Sequence, residues 1–143
     1  MLFFFITRIF KKTIFLGFLA MRKMKLAIII PAHNEEKRIE RTLEAYLAYF
    51  NNVEKEGSLK YRIIVIINAS KDRTKEIVEA IRKKDKHTEY LDLEKGGKGY
   101  AVIEGFKEAL KSSYELIGFV DADMATSPAS FNGRQTTRLY FYA

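Results

Sequence analysis

Two carboxylates separated by one residue, Asp121-Ala122-Asp123, follow directly on the apolar run Leu116-Ile117-Gly118-Phe119-Val120. In extended backbone, residues i and i+2 project to the same side about 6.6 Å apart. Hard oxygen donors so placed can share one divalent cation, Mg2+ or Mn2+, and through it a diphosphate. Carboxylates at the end of a buried strand are costly without such a partner, although an aspartate pair at this spacing also arises by chance. A second group is Lys95-Gly96-Gly97-Lys98-Gly99-Tyr100. Its glycines permit close backbone approach, a following helix N-terminus favours phosphate, and Lys98 adds a point charge. It matches neither GxxxxGKS/T nor GxGxxG, which argues against P-loop and dinucleotide sites. Two more polar segments, Pro31-Ala32-His33-Asn34-Glu35-Glu36 and Asn68-Ala69-Ser70-Lys71-Asp72-Arg73-Thr74, also follow apolar runs. Each alone reads as a loop with a helix cap, with Asn68 aimed into the crevice at its strand end.

These four segments act together only if the elements between them bring them to one edge. Residues 25–30, KLAIII, form a short continuous apolar run, the pattern of a strand buried on both faces. Ile39, Leu43, Tyr46, Leu47 and Phe50 then recur at helical spacing, with Asn34 as the expected N-cap and Glu35 and Glu36 in the first turn. Residues 51–60 read as a polar loop and 61–67 as a second buried strand. Ser70 is expected to cap a helix over 71–84 with Ile77, Val78 and Ile81 inward. A third strand over 87–93, a helix over 98–113 and a fourth strand over 115–123 complete the alternation. The predicted class is α/β: a doubly wound, mostly parallel, Rossmann-like sheet with right-handed crossovers. Ligands in such sheets bind beyond the carboxyl ends of the strands, where all four polar segments fall.

The net charge of +7 is not spread over this body. Residues 1–25 hold six basic side chains and no acid, residues 26–131 hold 17 basic and 18 acidic ones, and the last twelve add Arg134 and Arg138. A nucleic-acid reader concentrates charge on the folded domain, so a near-neutral body with basic ends argues against that class. The chain has no cysteine, which excludes disulfides and zinc–thiolate sites and favours a cytoplasmic location. Residues 1–24 form a segment of their own. Arg8, Lys11 and Lys12 interrupt its apolar run, and each charge at mid-bilayer costs about 2.5–3.5 kcal/mol. A clean membrane span is therefore not expected. The three charges share one helical face, which suits a helix lying at the cytoplasmic face of an anionic membrane. An equal reading takes Met21 or Met24 as the true start and the preceding residues as upstream sequence.

PAHNEE after a first strand, NASKDRT after a second, GGKGYAV before a helix and FVDADMATSP after a fourth strand occur in a familiar order and spacing. Over residues 25–131 they resemble the nucleotide-sugar-binding half of family 2 inverting glycosyltransferases with the GT-A fold. DADMATSP looks most like the dolichyl-phosphate glucosyltransferase branch. Mannosyl-transferring relatives usually carry glutamine where this chain has Ala125, so the resemblance favours UDP-glucose over GDP-mannose as donor, with dolichyl or another polyprenyl phosphate as acceptor. It implies that Pro31, Ala32, His33 and Glu35 line the nucleoside pocket, that Lys98 lies near the sugar or phosphates, and that Asp121 and Asp123 meet the donor and its divalent metal.

Two departures from the family pattern stand out. Ile67-Asn68-Ala69 occupies a place where relatives commonly have one or two aspartates followed by glycine, so Asn68 would pair with the base edge in place of an acid. Family catalytic domains also continue well beyond the aspartate strand, usually with an amphipathic helix after SPASF. Here residues 132–143, NGRQTTRLYFYA, show no helical pattern and are expected to be an aberrant or disordered tail. No general base is assignable. A nucleotidyltransferase would need a basic glycine-rich loop after the first strand, where this chain has PAHNEE. A nucleotide-sugar-binding pseudoenzyme remains the alternative to an active transferase.

Overall fold

The structure, a computed structural model, describes residues 23–135. The element order is β1 (Met24–Ala32), α1 (Ile39–Lys55), β2 (Leu59–Asn68), α2 (Thr74–Lys84), β3 (Thr88–Leu93), α3 (Lys98–Leu110), β4 (Leu116–Phe119) and α4 (Pro128–Gln135). The strands form one sheet in the order β3-β2-β1-β4, with every pair parallel. This is the α/β alternation expected from the apolar runs. The expectations for residues 1–22 and 136–143 lie outside the described residues.

β1 is central, and its side chains alternate between two cores. Leu26, Ile28, Ile30 and Ala32 join Ile63, Val65 and Ile67 of β2 beneath Ile39, Leu43, Tyr46 and Phe50 of α1, Val78 and Ile81 of α2, and Phe131 of α4. Ala27 and Ile29 join Ile64 and Ile66 beneath Ala101 and Ala109 of α3. Burial on both faces is why β1 and β2 read as unbroken apolar runs instead of alternating ones.

Several boundaries differ from the sequence reading, each for a physical reason. α1 runs through Lys55, because Val53 packs on the larger core, and Gly57 at φ 87° makes the turn into β2. Neither expected cap residue caps its helix. The residues preceding α1 and α2 are Arg38 and Arg73, and neither makes a side-chain cap hydrogen bond. Asn34 and Ser70 are engaged instead with each other's loops. β4 ends at Phe119, short of the aspartates. Val120 still donates its N–H to Ile29 O at 3.0 Å, but the next ladder bond requires an N–H from Pro31, which has none. α4 runs to Gln135, four residues into the stretch expected to lack helix.

α3 lies close on the sheet at Gly105. A Cβ built there would stand 2.5 Å from Ile29 Cγ2 and 3.1 Å from Ile66 Cγ1. Both neighbours are buried core side chains with no room to retreat. Gly105→Ala is therefore expected to destabilise the fold by about 1–3 kcal/mol despite its better helix propensity. Urea unfolding of the two proteins measures this directly.

Candidate functional site

Parallel pairing places the carboxyl ends of β1, β2 and β4 side by side, and their following loops meet there. The loops after β1 and β2 are stitched to each other. Asn34 N–H donates to Ser70 Oγ at 3.0 Å, and Lys71 N–H donates back to Asn34 Oδ1 at 2.8 Å. Glu35 N–H donates to Thr74 Oγ1 at 2.8 Å, whose hydroxyl donates onward to Asp72 Oδ1 at 2.5 Å. Asp72 Oδ2 accepts from Glu36 N–H at 3.1 Å, and Glu36 Oε2 accepts from Arg73 N–H at 3.1 Å. Asn34 and Ala69 adopt the left-handed region at φ 52° and 50°, so each chain turns sharply off its strand.

His33 closes the seam. Its Nδ1 lies 2.6 Å from Asn68 O, and a carbonyl carries no hydrogen, so Nδ1 donates. Nε2 then accepts from Asn34 Nδ2 at 3.3 Å. Nδ1 thus ties the two loops together, while Nε2 bonds within the loop after β1.

The segment after β4 is held from above by α1. Thr42 Oγ1 donates to Ala122 O at 2.6 Å, and Tyr46 hydroxyl donates to Thr126 O at 2.8 Å. Met124 takes φ 63°, and Asp123 Oδ1 accepts from Ala125 N–H at 2.9 Å, forming a tight turn. The aspartates therefore sit in this turn and not in the extended strand anticipated for them. Lys98, at the first position of α3, pairs its Nζ with Asp121 Oδ1 at 2.5 Å.

Pro31, His33, Glu35, Asn68, Lys98, Asp121, Ala122 and Asp123 line one crevice of about 190 Å3. Of the residues singled out in the sequence, Ala32 alone is absent from the lining. Side chains alternate along β1, so Ala32 turns into the larger core while Pro31 and His33 flank the opening. Glu35 is held by Arg38, Oε2 to Nε at 2.7 Å. Asn68 is 3% exposed, and its Oδ1 is buried with no hydrogen-bond partner. A buried acceptor left in that state costs about 1–3 kcal/mol, so an N–H from a bound molecule would be favoured there.

No group of three or more His, Cys, Asp or Glu among the described residues could by itself hold a metal ion. The crevice offers Asp121 and Asp123, two hard oxygen donors of the type that suits Mg2+ or Mn2+. The remaining coordination would come from a ligand's phosphates and water. Thr42 and Tyr46 support the site without standing out in the sequence as doing so, whereas Ser70, Asp72 and Thr74 fall within the polar segment after β2. Thr42 left one signal in the sequence, a small hydroxyl among the buried residues of α1.

This arrangement, a crevice at the carboxyl edge of a parallel sheet with paired aspartates and a lysine, has clear relatives. Residues 27–132 match the family described as glycosyl transferase family 2. The chain belongs to that family. It is 35% identical over 108 residues to a dolichyl-phosphate beta-glucosyltransferase of Trichomonas vaginalis, covering 74% of this chain and 32% of that protein. It is 32% identical over 105 residues to the dolichol-phosphate mannosyltransferase of Pyrococcus furiosus, covering 73% of this chain and 27% of that one. Residues 1–349 of S. aureus TarS superpose with a TM-score of 0.60 at 27% identity, over 79% of this chain and 32% of theirs. The chain thus spans about a third of the length of the relatives it matches.

Two predictions test the seam. Ala69 pays the left-handed penalty of about 1–2 kcal/mol, against which glycine would lose about 0.4–1 kcal/mol through unfolded-state entropy. Ala69→Gly should stabilise the fold by about 0.5–1 kcal/mol, read as a rise of about 2–4 °C in melting temperature. Burial pushes the Asp72 carboxyl up, but hydrogen bonds from the Thr74 hydroxyl, the Thr74 amide and the Glu36 amide outweigh it and hold it below its ordinary 3.8. A depressed carboxyl contributes stability that is present above its unfolded value and lost as pH falls through its folded value. Denaturant melts should therefore weaken as pH falls below about 4, and Asp72→Asn should flatten that slope.

Proposed function

We propose that the chain is the donor-binding half of a glycosyltransferase that moves glucose from UDP-glucose to a lipid phosphate such as dolichyl phosphate. The observation that carries this reading is the single crevice that gathers Asn68, Lys98, Asp121 and Asp123 beside the loop after β1. In it, Asn68 Oδ1 accepts the imide N–H of the uracil, which meets a buried acceptor that lacks a partner. Pro31, His33 and Glu35 flank the nucleoside. Lys98 exchanges Asp121 for the donor's phosphates, and its position at the start of α3 adds the helix's positive end. Ala125, in place of the glutamine usual in mannosyl-transferring relatives, favours UDP-glucose over GDP-mannose.

Asp121 and Asp123 are the residues that would hold Mg2+ or Mn2+. When bound, such a cation supplies neutralising charge to the leaving diphosphate. The lysine and the α3 N-terminus would act on the same charge. Transfer forms a bond between the acceptor's phosphate oxygen and the anomeric carbon as the bond to the diphosphate breaks, releasing UDP. A phosphate monoester loses its second proton with a pKa of about 6, so the acceptor oxygen is already anionic at neutral pH. That removes the need for a general base among these residues.

The lipid acceptor implies work at a membrane's cytoplasmic face. No helix among the described residues is long and apolar enough to cross a bilayer. The sequence preceding β1, with Arg8, Lys11 and Lys12 among apolar side chains, has the composition that suits such a surface.

Calorimetric titration of the full chain with UDP-glucose and GDP-mannose, with and without Mg2+ or Mn2+, tests the donor site. Metal-dependent binding of UDP-glucose is expected, lost in Asp123→Ala. Asn68→Ala should weaken uridine nucleotides about three- to tenfold, the worth of one neutral hydrogen bond, while leaving the metal dependence intact. Absence of nucleotide binding by folded protein would overturn the proposal. Binding without glucosyl transfer to dolichyl phosphate would identify a donor-binding fragment without catalysis.

A further inference from the structure

A second cavity of the described fold is larger than the donor crevice. It measures about 580 Å3 and opens at the opposite edge of the sheet, where the strands begin. Lys25 is the second residue of β1 and Lys60 the second of β2, while His87 and Tyr114 precede β3 and β4. β1 spans nine residues, so roughly 26 Å of strand separates this mouth from the crevice.

Its lining is strongly basic. Lys23, Lys25, Lys60, Arg62 and Lys86 face Glu54 as the one lining carboxylate. Glu54 is already engaged by His87 Nε2 at 2.8 Å. Arg62 reaches Glu89 at 3.5 Å, and Lys25 donates to Ser113 Oγ at 2.9 Å. Lys60 and Lys86 are exposed and have no carboxylate partner among the described residues. Gathering these cations around one concavity carries a repulsive cost, which a bound anion would reverse. Ser112 and Ser113 add hydroxyls to the same wall. The preceding sequence adds Arg8, Lys11, Lys12 and Arg22 with no acid and joins the fold at Lys23, on the rim.

We propose that this cavity is a second anion site, taking a phosphate-bearing ligand between Lys60, Lys86 and the Ser112-Ser113 turn. It is separate in place and chemistry from the donor crevice. It needs no divalent cation, because side-chain ammonium groups supply the positive charge.

The test uses the full chain in EDTA, which removes metal-dependent binding at the aspartates, with inorganic pyrophosphate as probe. Binding is followed by calorimetry and by amide NMR shifts. Expected shifts fall at Lys86, Ser112 and Ser113 and not at Asp121 or Asp123. Lys60→Glu combined with Lys86→Glu should weaken binding about tenfold, with an affinity that also falls as salt rises. Both side chains are exposed, so circular dichroism and the melting temperature should be unchanged. A parallel arm measures cosedimentation with phosphatidylcholine vesicles with and without phosphatidylglycerol. Binding only to the anionic vesicles, lost in the double variant, would assign the phosphate to a lipid headgroup. Binding of free pyrophosphate, lost in the same variant, would assign it to a soluble ligand. The proposal is overturned if folded protein binds neither probe, if the double variant binds as well as the native chain, or if the shifts fall at Asp121 and Asp123.

Discussion

Burial of β1 on both faces is the constraint on which the rest of the structure depends. Ile28, Ile29 and Ile30 are each fully buried, and they point alternately into the two cores. Each contributes about 1.5–3 kcal/mol by leaving water, and a slip of one residue would exchange the two faces. Register with β2 is thereby held over nine consecutive pairs, from Met24 with Leu59 to Ala32 with Ile67. The position of the crevice follows from that register. His33 and Asn68 meet because the strands carrying them end level with each other.

The crevice is assembled by backbone geometry more than by its own side chains. Three non-glycine residues in the left-handed region are Asn34 and Ala69, just after β1 and β2, and Met124, in the turn that follows the aspartates beyond β4. Asn34 and Ala69 turn their loops aside at the strand ends, beside the space that the crevice occupies. The strain is held by hydrogen bonds from outside the turning residue: Ser70 and Lys71 on Asn34, Leu93 O on the Ala69 amide at 2.8 Å, and Thr42 and Tyr46 around Met124. A site supported in this way keeps its shape before any ligand arrives.

Much of this was legible in the sequence. Continuous apolar runs mark β1 and β2 because both faces are covered, and the spacing of Ile39, Leu43, Tyr46, Leu47 and Phe50 marks α1 because a single face is. The crevice residues were legible because strand ends in a parallel sheet share one edge, a rule that needs only the order of elements. Long-range polar partners were not legible. Asn34 and Ser70 have the chemistry of helix caps, and local rules assign them to their own helices. Tertiary pairing instead gives Asn34 to the backbone of Lys71 and Ser70 to the backbone of Asn34. The end of β4 depends on an N–H missing from Pro31, some ninety positions earlier in the chain. Ala32 was drawn into the site by its neighbours in the motif, whereas strand alternation turns it into the core.

The strand order β3-β2-β1-β4 also bears on how the chain comes off the ribosome. β1 is made first yet lies in the middle, and Leu26 pairs with Leu116, ninety residues later. At about 5–20 residues per second, one flank of an isoleucine-rich strand waits about 5 to 18 seconds for its neighbour. During that interval β1 and β2 can already pair, but β1 presents a bare parallel edge suited to templating a wrong strand. A nascent chain of this topology is therefore most exposed to misassembly while α2, β3 and α3 are being synthesised. Chaperone demand would be expected to peak there.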